Sequence, residues 1–371
     1  MSALKSYDVA VVGGGAAGLV AAISAGRKGR SVVICDRMPR LGKKLLITGG
    51  GRCNLLNEDL APEAFTTTSR ELVASVLGRF GREAIRGFFK DLGLEMVSEG
   101  ARVFPAANQA SSVLKVLELE VLRLGVAVEV GFEVLRVERV GASFILGASE
   151  GRKIEARSVI VAGGGKSYPA LGSNGSAYGL AEGFGHRIVL PVPSAVPVLV
   201  KDKMCHVLQG QKVRARATSE IGGSAVQSAE GEVLFTQYGL SGTAVLDVSE
   251  SLSIALNRDG KTNAAIVLDL VPFMMKEELA AEFSKRMNTG RADGDLAAGI
   301  LPEKFGPVVR ELVSKGSREP GAAAHALASA LKEKRFSVQG TRGWNEAEFT
   351  CGGVDAREVD PRTLESKLRK G

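Results

Sequence analysis

The chain has 371 residues, 45% hydrophobic and 24% charged, with 46 glycines, 12 prolines and a formal net charge of +7. That balance excludes a mainly disordered chain, and the length suffices for about two domains with real cores. No Gly-X-Y period is present, so collagen-like and low-complexity readings fail and the glycine excess must sit in local turns.

Residues 7–12 (YDVAVV) are apolar and β-rich with no helical period, and read as a buried parallel strand. A glycine turn follows at 13–18, a small-residue helix over 16–28, and a second strand over 31–35. This is a β-turn-α-β unit. The uncharged run from Val9 to Gly26 is long enough to raise a membrane helix. Its five glycines, and Asp8 at its mouth, argue against a membrane or secretory segment.

Residues 69–93 read as two helices broken near Gly81, and 109–124 as an amphipathic helix. Strands are expected at about 126–130, 132–140, 143–148 and 154–162, the last running into Ala162-Gly163-Gly164-Gly165. From 191 to 250, short alternating runs and turn signals predict a small β-rich unit. Residues 275–335 read as mostly helical, and 347–354 return to strand-then-glycine. The order predicts an α/β nucleotide-binding domain over 1–190 plus 340–371, interrupted by a β-rich and helical domain over 191–339.

Gly13-Gly14-Gly15-Ala16-Ala17-Gly18 matches G-x-G-x-x-G between an expected strand and helix. Gly13 permits the tight turn, Gly15 lets backbone approach a pyrophosphate, and Gly18 lets the helix pack on the strand. The helix N-terminus, with Ala16 and Ala17, offers free N–H groups to the phosphates. Asp36 closes strand two, where a carboxylate can accept both ribose hydroxyls and repel a 2′-phosphate; FAD or NAD is favoured over NADP. A second cluster, Thr48 to Asn54, joins Gly49, Gly50 and Gly51 to Arg52, a backbone-amide and cation set suited to a phosphate or a flavin edge. Cys53 reads as a small wall residue rather than a reactive thiol. Gly165-Lys166-Ser167 imitates a P-loop tail, but Ile160 stands where that motif needs glycine, which excludes the ATPase reading.

The histidines His186, His206 and His325 have no metal-ligand spacing, and Cys35, Cys53, Cys205 and Cys351 have no Cys-x-x-Cys. No metal or disulfide is expected, and the compartment reads as reducing and cytoplasmic. Two basic clusters (Arg79, Arg82, Arg86, Lys90; Lys332, Lys334, Arg335) lack interleaved aromatics, which argues against a nucleic-acid partner.

Five blocks carry a resemblance: KKLLITGGGRCN at 43–54, RVFPAANQASSVL at 102–114, GGGKSYPALGSNGSAYGLAEGFGH at 163–186, LFTQYGLSG at 234–242 and FTCGGVDAREVDPRTLESKL at 349–368. In order and over nearly the whole chain, they resemble the BaiN-type NAD(P)/FAD-dependent oxidoreductases. The resemblance implies an FAD domain of the glutathione-reductase type with an inserted β-rich domain and a helical piece. It implies that Gly13, Gly15, Ala16, Ala17 and Gly18 take the pyrophosphate, with Asp36 and Arg37 at the adenosine and Val134 meeting adenine through its backbone. Lys44, Gly50, Gly51, Arg52, Cys53 and Asn54, with Ala162, Gly163 and Gly164, would line the rest of the FAD path. Ser241 and Gly242 resemble a substrate-side wall. Gln237 and Thr243 stand where the family usually has His and Pro, and Ser176-Ala177 where Asp-Gly is common. The family continues with a strand beyond Arg369-Lys370-Gly371, so a C-terminally truncated FAD domain is expected.

The activity so implied is hydride transfer from NADH or NADPH to FAD, then to an unsaturated or carbonyl small molecule. The alternatives are a flavin oxidase, or a dinucleotide-binding protein without turnover.

Overall fold

The computed structural model describes residues 4–65, 69–316 and 319–371. It has two compact units, Met1–Val189 with Gly352–Gly371, and Leu190–Cys351.

The first unit is built on a sheet. Strands β1 (Lys5–Val12) and β2 (Val32–Asp36) flank helix α1 (Ala16–Gly26) in sequence. A short β3 (Leu56–Asn57), helices α2 (Arg70–Arg79) and α3 (Arg82–Asp91), and strands β4 (Met96–Glu99) and β5 (Arg102–Pro105) follow. Then come α4 (Ala110–Arg123), β6 (Ala127–Val130), β7 (Arg136–Val140), β8 (Ser143–Gly147), β9 (Lys153–Val161) and α5 (Ser176–Glu182). The sheet order is β6-β2-β1-β9-β8-β7. β1 runs parallel to β2 and β9, and β2 parallel to β6, while β8 is antiparallel to both neighbours.

The continuous apolar runs of β1 and β2 follow from burial on both faces. Val11 and Ile34 point to one core with Leu19, Ile23, Leu117 and Val121. Ala10, Val33 and Cys35 point to the other, with Phe132, Leu146 and Ala156. The strand expected over 132–140 is shorter, because its start is tied elsewhere: Gly131 N–H donates to Met38 O and Phe132 N–H to Asp36 O, and bonding to β8 begins only at Leu135, whose N–H donates to Gly147 O.

Two contacts in this unit join distant segments. His186 lies between Glu358 (Nδ1, 3.0 Å) and Ser366 (Nε2, 2.7 Å). Ser366 Oγ already accepts from the N–H groups of Leu368 and Arg369, so it donates to Nε2 and leaves Nδ1–H to donate to Glu358. Glu120, 8% exposed, accepts from Arg123 and Arg27. Hydrogen bonds from Arg123 first and then Arg27, working against burial, hold its carboxyl at about 2. A folded-state value below the unfolded one stabilises above the ordinary carboxylate range and loses that stabilisation as pH falls. Glu120→Gln is therefore expected to cost roughly 1 kcal/mol at pH 7, since Arg123 stays in solvent. The gap to the parent should close between about pH 4.5 and 2. Urea midpoints across that range check it; a gap independent of pH would remove the ion pair as its cause.

In the second unit, reached along β10 (Ile188–Ser194), the strands are β11 (Val198–Val200), β12 (Lys212–Ile221), β13 (Ser224–Thr236), β14 (Gly239–Ser241), β15 (Ala264–Asp269) and β16 (Lys334–Thr341). They close a barrel in the order β11-β14-β13-β12-β15-β16. Along β12, Val213, Ala215 and Ala217 are buried and alternate with outward Arg214 and Arg216. The helices are α6 (Lys203–Val207), α7 (Thr243–Ser253), α8 (Lys276–Asn288), α9 (Gly306–Ser314) and α10 (Pro320–Lys332). The chain leaves along β17 (Phe349–Val354).

The β-rich unit expected over 191–250 is present as barrel strands β11 to β14, and the same stretch also carries α7, because Ala244, Val245, Val248, Ser249 and Leu252 make one fully buried helical face. One expected boundary is corrected. Residues 340–351 belong to the second unit, because β16 pairs with β11 and β15, and Arg342 and Glu348 donate to Pro197 and Ala195. Among the described residues no helix is long and apolar enough to cross a membrane, and no cluster of His, Cys, Asp or Glu could hold a metal.

Candidate functional site

The site grows from the turn between β1 and α1. Gly13 has φ +103°, and a Cβ there would meet Ala162 O at 2.6 Å. A Cβ on Gly18 would overlap Gly13 O, and one on Gly14 would run into the Leu41 side chain. Gly15 differs from all three, because nothing lies within 4 Å of its Cβ direction. It caps α1 in an extended conformation with no side-chain cap, and no acidic residue stands in the first helical turn. An uncapped helix N-terminus leaves N–H donors and a partial positive charge facing that open space. This geometry fits a phosphate group.

The Asp36 carboxylate lies beside the turn. It accepts from Gly14 N–H at 2.5 Å and from Met38 N–H at 2.7 Å, one per oxygen. The carboxylate expected to meet a ribose is therefore also a staple of the glycine turn, with one lone pair left on each oxygen. Asp36→Ala should lose two charge-assisted bonds, costing about 2–3 kcal/mol. Asp36→Asn keeps one acceptor and should lose less; equal losses in thermal denaturation would remove the staple role.

The loop tied to Asp36 and Met38 carries Val134, which is buried and whose peptide groups make no hydrogen bond among the described residues. Arg37 reaches along that loop to Glu133 at 3.4 Å. On the opposite side, Ala162 N–H donates to Val12 O, and Gly163 and Gly164 continue past the glycine turn. A Cβ on Gly163 would meet Ala177 Cβ at 2.6 Å, so this crossover is also backbone against small side chain.

Gly49, Gly50 and Gly51 have φ of 58°, 68° and 87°. Three consecutive left-handed residues form a turn that only glycine makes cheaply. Gly50 faces open space, a Cβ on Gly51 would meet Leu46 O at 3.9 Å, an ordinary contact, and Gly49 packs on Asn54 N. Arg52 departs from expectation. Its guanidinium stacks on Phe104 at 4.0 Å and bonds Glu99 and Asn108. Those residues come from β4, β5 and the turn after β5, so the cation holds the glycine loop rather than standing ready for a ligand. Cys53 is buried with φ 62°, and burial pushes its thiol up, which leaves it an inert wall group. Asn54 is exposed. Lys44 Nζ donates to Ser167 Oγ at 2.6 Å. The partners of Arg52 and Lys44 were missed as site residues, although Phe104, Asn108 and Ser167 all fall inside the sequence blocks at 102–114 and 163–186.

In the second unit, Gly242 (φ +94°) separates β14 from α7. Thr243, where proline is usual, opens α7, and its Oγ1 accepts from Glu232 N–H at 3.0 Å. Gln237 is exposed beyond the end of β13, and Ser241 is half-buried.

The family model described as HI0933-like protein Rossmann domain matches residues 7–371. A 3-dehydro-bile acid delta(4,6)-reductase of Clostridium scindens is 32% identical over 98% of this chain and 90% of that protein. A ribosomal RNA dihydrouridine synthase of Haemophilus influenzae is 28% identical over 97% of this chain and 89% of that protein. A solved 3-ketosteroid-delta4-(5alpha)-dehydrogenase of Rhodococcus jostii RHA1 is 14% identical, with a TM-score of 0.43 covering 95% of this chain and 86% of that one. The chain belongs to the HI0933-like protein Rossmann domain family, the family its sequence blocks resemble, and is an enzyme of the flavoprotein oxidoreductase kind.

Proposed function

We propose that this chain holds FAD along the first unit's glycine turns and reduces a carbon–carbon double bond conjugated to a carbonyl, with NADH or NADPH as electron donor. The observation that carries the reading is the open space at Gly15, in front of an uncapped α1 and flanked by Asp36. There α1 would hold the pyrophosphate through the N–H groups of Ala16 and Ala17. Asp36 would accept from the adenosine ribose, and the Val134 peptide would meet adenine. Gly50, Gly51, Gly163 and Gly164 would let backbone close over the remainder. When bound, FAD supplies the hydride chemistry.

Two relatives' names support the proposed substrate class. A delta(4,6)-reductase of a 3-dehydro-bile acid and a dihydrouridine synthase both saturate an alkene conjugated to a carbonyl. In such a group, hydride goes to the β-carbon and a proton to the α-carbon. A small molecule is favoured over RNA because the three arginines of the first basic cluster and all three residues of the second are engaged. Arg82 and Arg86 pair with Glu58, and Arg79 with backbone carbonyls. Lys332, Lys334 and Arg335 pair with Asp269, Asp202 and Glu220.

The test is a visible spectrum of the purified chain with added FAD, then anaerobic NADH or NADPH, then a cyclic enone and a uridine-containing RNA. Retained flavin bands, bleached by one nicotinamide and restored by the enone, are expected. Restoration by RNA alone would move the substrate to a uracil ring. Peroxide formation in air with no response to the enone would favour an oxidase. Absence of bound flavin would overturn the proposal.

A further inference from the structure

Lys44 joins two loops that lie far apart in the sequence. Its ammonium rests on Ser167 Oγ at 2.6 Å, and among the described residues no carboxylate pairs with it. Lys44 stands in the loop after β2 and Ser167 in the loop after β9. The two loops therefore meet across the C-terminal end of β1, the strand between them in the sheet. Ser167 is 1% exposed. The next residue, Tyr168, holds φ 54° and ψ 64° immediately before Pro169. A left-handed conformation is unfavourable for a non-glycine residue, and a residue before proline prefers extended backbone. Strain of this kind persists where surrounding structure over-determines it, typically at binding and catalytic sites.

The same loops show which part of a dinucleotide would meet Lys44. Asp36 and the Val134 loop mark one end of the path, on the β2 side. The open space at Gly15 marks the middle. Beyond the contact between Gly13 and Ala162, on the β9 side, the path leads to Gly163, Gly164 and Ser167. In FAD, the group past the pyrophosphate is the ribityl chain with its flavin ring. The pyrophosphate itself already has the α1 N-terminus.

We infer that Lys44, positioned by Ser167, sets a positive charge beside the flavin ring and stabilises the anion that remains when a hydride arrives. This rests on the FAD reading above. A hydride from the reduced nicotinamide carries two electrons and one proton, so the nicotinamide is oxidised and the ring gains one negative charge. No bond to Lys44 forms or breaks, and its ammonium keeps its proton. Lys44 is half-buried, and the partial burial that lowers it from its ordinary ammonium range also thins the water that screens its charge. Ser167 is a positioning residue in this account.

The experiment loads the parent chain, Lys44→Met, Lys44→Arg, Ser167→Ala and Ser167→Thr with FAD. It measures three quantities on each: FAD affinity, two-electron midpoint potential and sulfite affinity. Sulfite adds to the oxidised ring and leaves the same kind of anion. Lys44→Met is expected to lower the midpoint by at least about 30 mV, a tenfold loss for a two-electron couple. Its sulfite affinity should fall at least tenfold, with FAD affinity changed less. Lys44→Arg should keep most of both, Ser167→Ala should fall between, and Ser167→Thr should recover. Lost FAD affinity with unchanged potential and sulfite binding would overturn the inference and assign Lys44 to the phosphates. No change in any quantity would reduce it to a structural tie. If Lys44→Met does not fold, a Ser167→Ala protein with parental potential and sulfite affinity overturns the inference. A parent chain that takes up no FAD would overturn the cofactor reading itself, a separate outcome visible before any variant is made.

Discussion

Gly15→Ala is expected to leave the melting temperature within about 2 °C of the parent and to weaken FAD binding more than tenfold. Gly15 has φ −76° and ψ −174°, backbone that alanine adopts freely, and its Cβ would meet no protein atom within 4 Å. A tenfold loss corresponds to about 1.4 kcal/mol, a modest demand for a methyl group placed where, in the proposed FAD complex, a phosphate would reach the α1 N–H groups. Gly18→Ala should behave oppositely. In an exposed helix, alanine would gain about 1 kcal/mol over glycine. Here the methyl would overlap Gly13 O, a backbone atom that cannot rotate away. The β1–α1 packing must open, so the protein should melt several degrees lower and lose FAD as well. Thermal melts and FAD titrations on both variants separate space reserved for a ligand from space reserved for the fold. Parental FAD affinity in Gly15→Ala would show that phosphate does not approach there.

Phe235→Ala is expected to destabilise the barrel unit by about 3–5 kcal/mol. The ring is fully buried, with edge contacts to Phe305 at 6.0 Å and Phe336 at 6.4 Å. Its removal takes apolar contact from a barrel strand, the turn before α9 and the closing strand together. The cavity cannot collapse easily, because closure of the barrel fixes its wall. Phe273, 67% exposed, is the control, and its alanine variant should stay within about 0.5 kcal/mol. Each unit has its own core, so chemical denaturation is expected to show two transitions, with Phe235→Ala moving only one. A shift of both by the same amount would mean that the units unfold together.

What the residues of one short segment determined is the β1–α1–β2 unit and its glycine turn. The reason is local: a strand buried on both faces must read as an apolar run, and a turn closed by backbone contacts accepts only glycine at Gly13 and Gly18. The same locality left the strand expected over 132–140 too long, since the bonds that pull Gly131 and Phe132 away end on Met38 and Asp36. It also hid α7, whose buried face is defined only once the barrel exists. Tertiary structure alone decided the rest. Arg52 looked like a cation awaiting a phosphate until Glu99, Asn108 and Phe104 were folded beside it. Lys44 finds Ser167 across 123 positions, and His186 finds Glu358 and Ser366 across 172 and 180. A side chain's partner at that distance follows from strand order and loop geometry, which no pattern of neighbouring residues encodes.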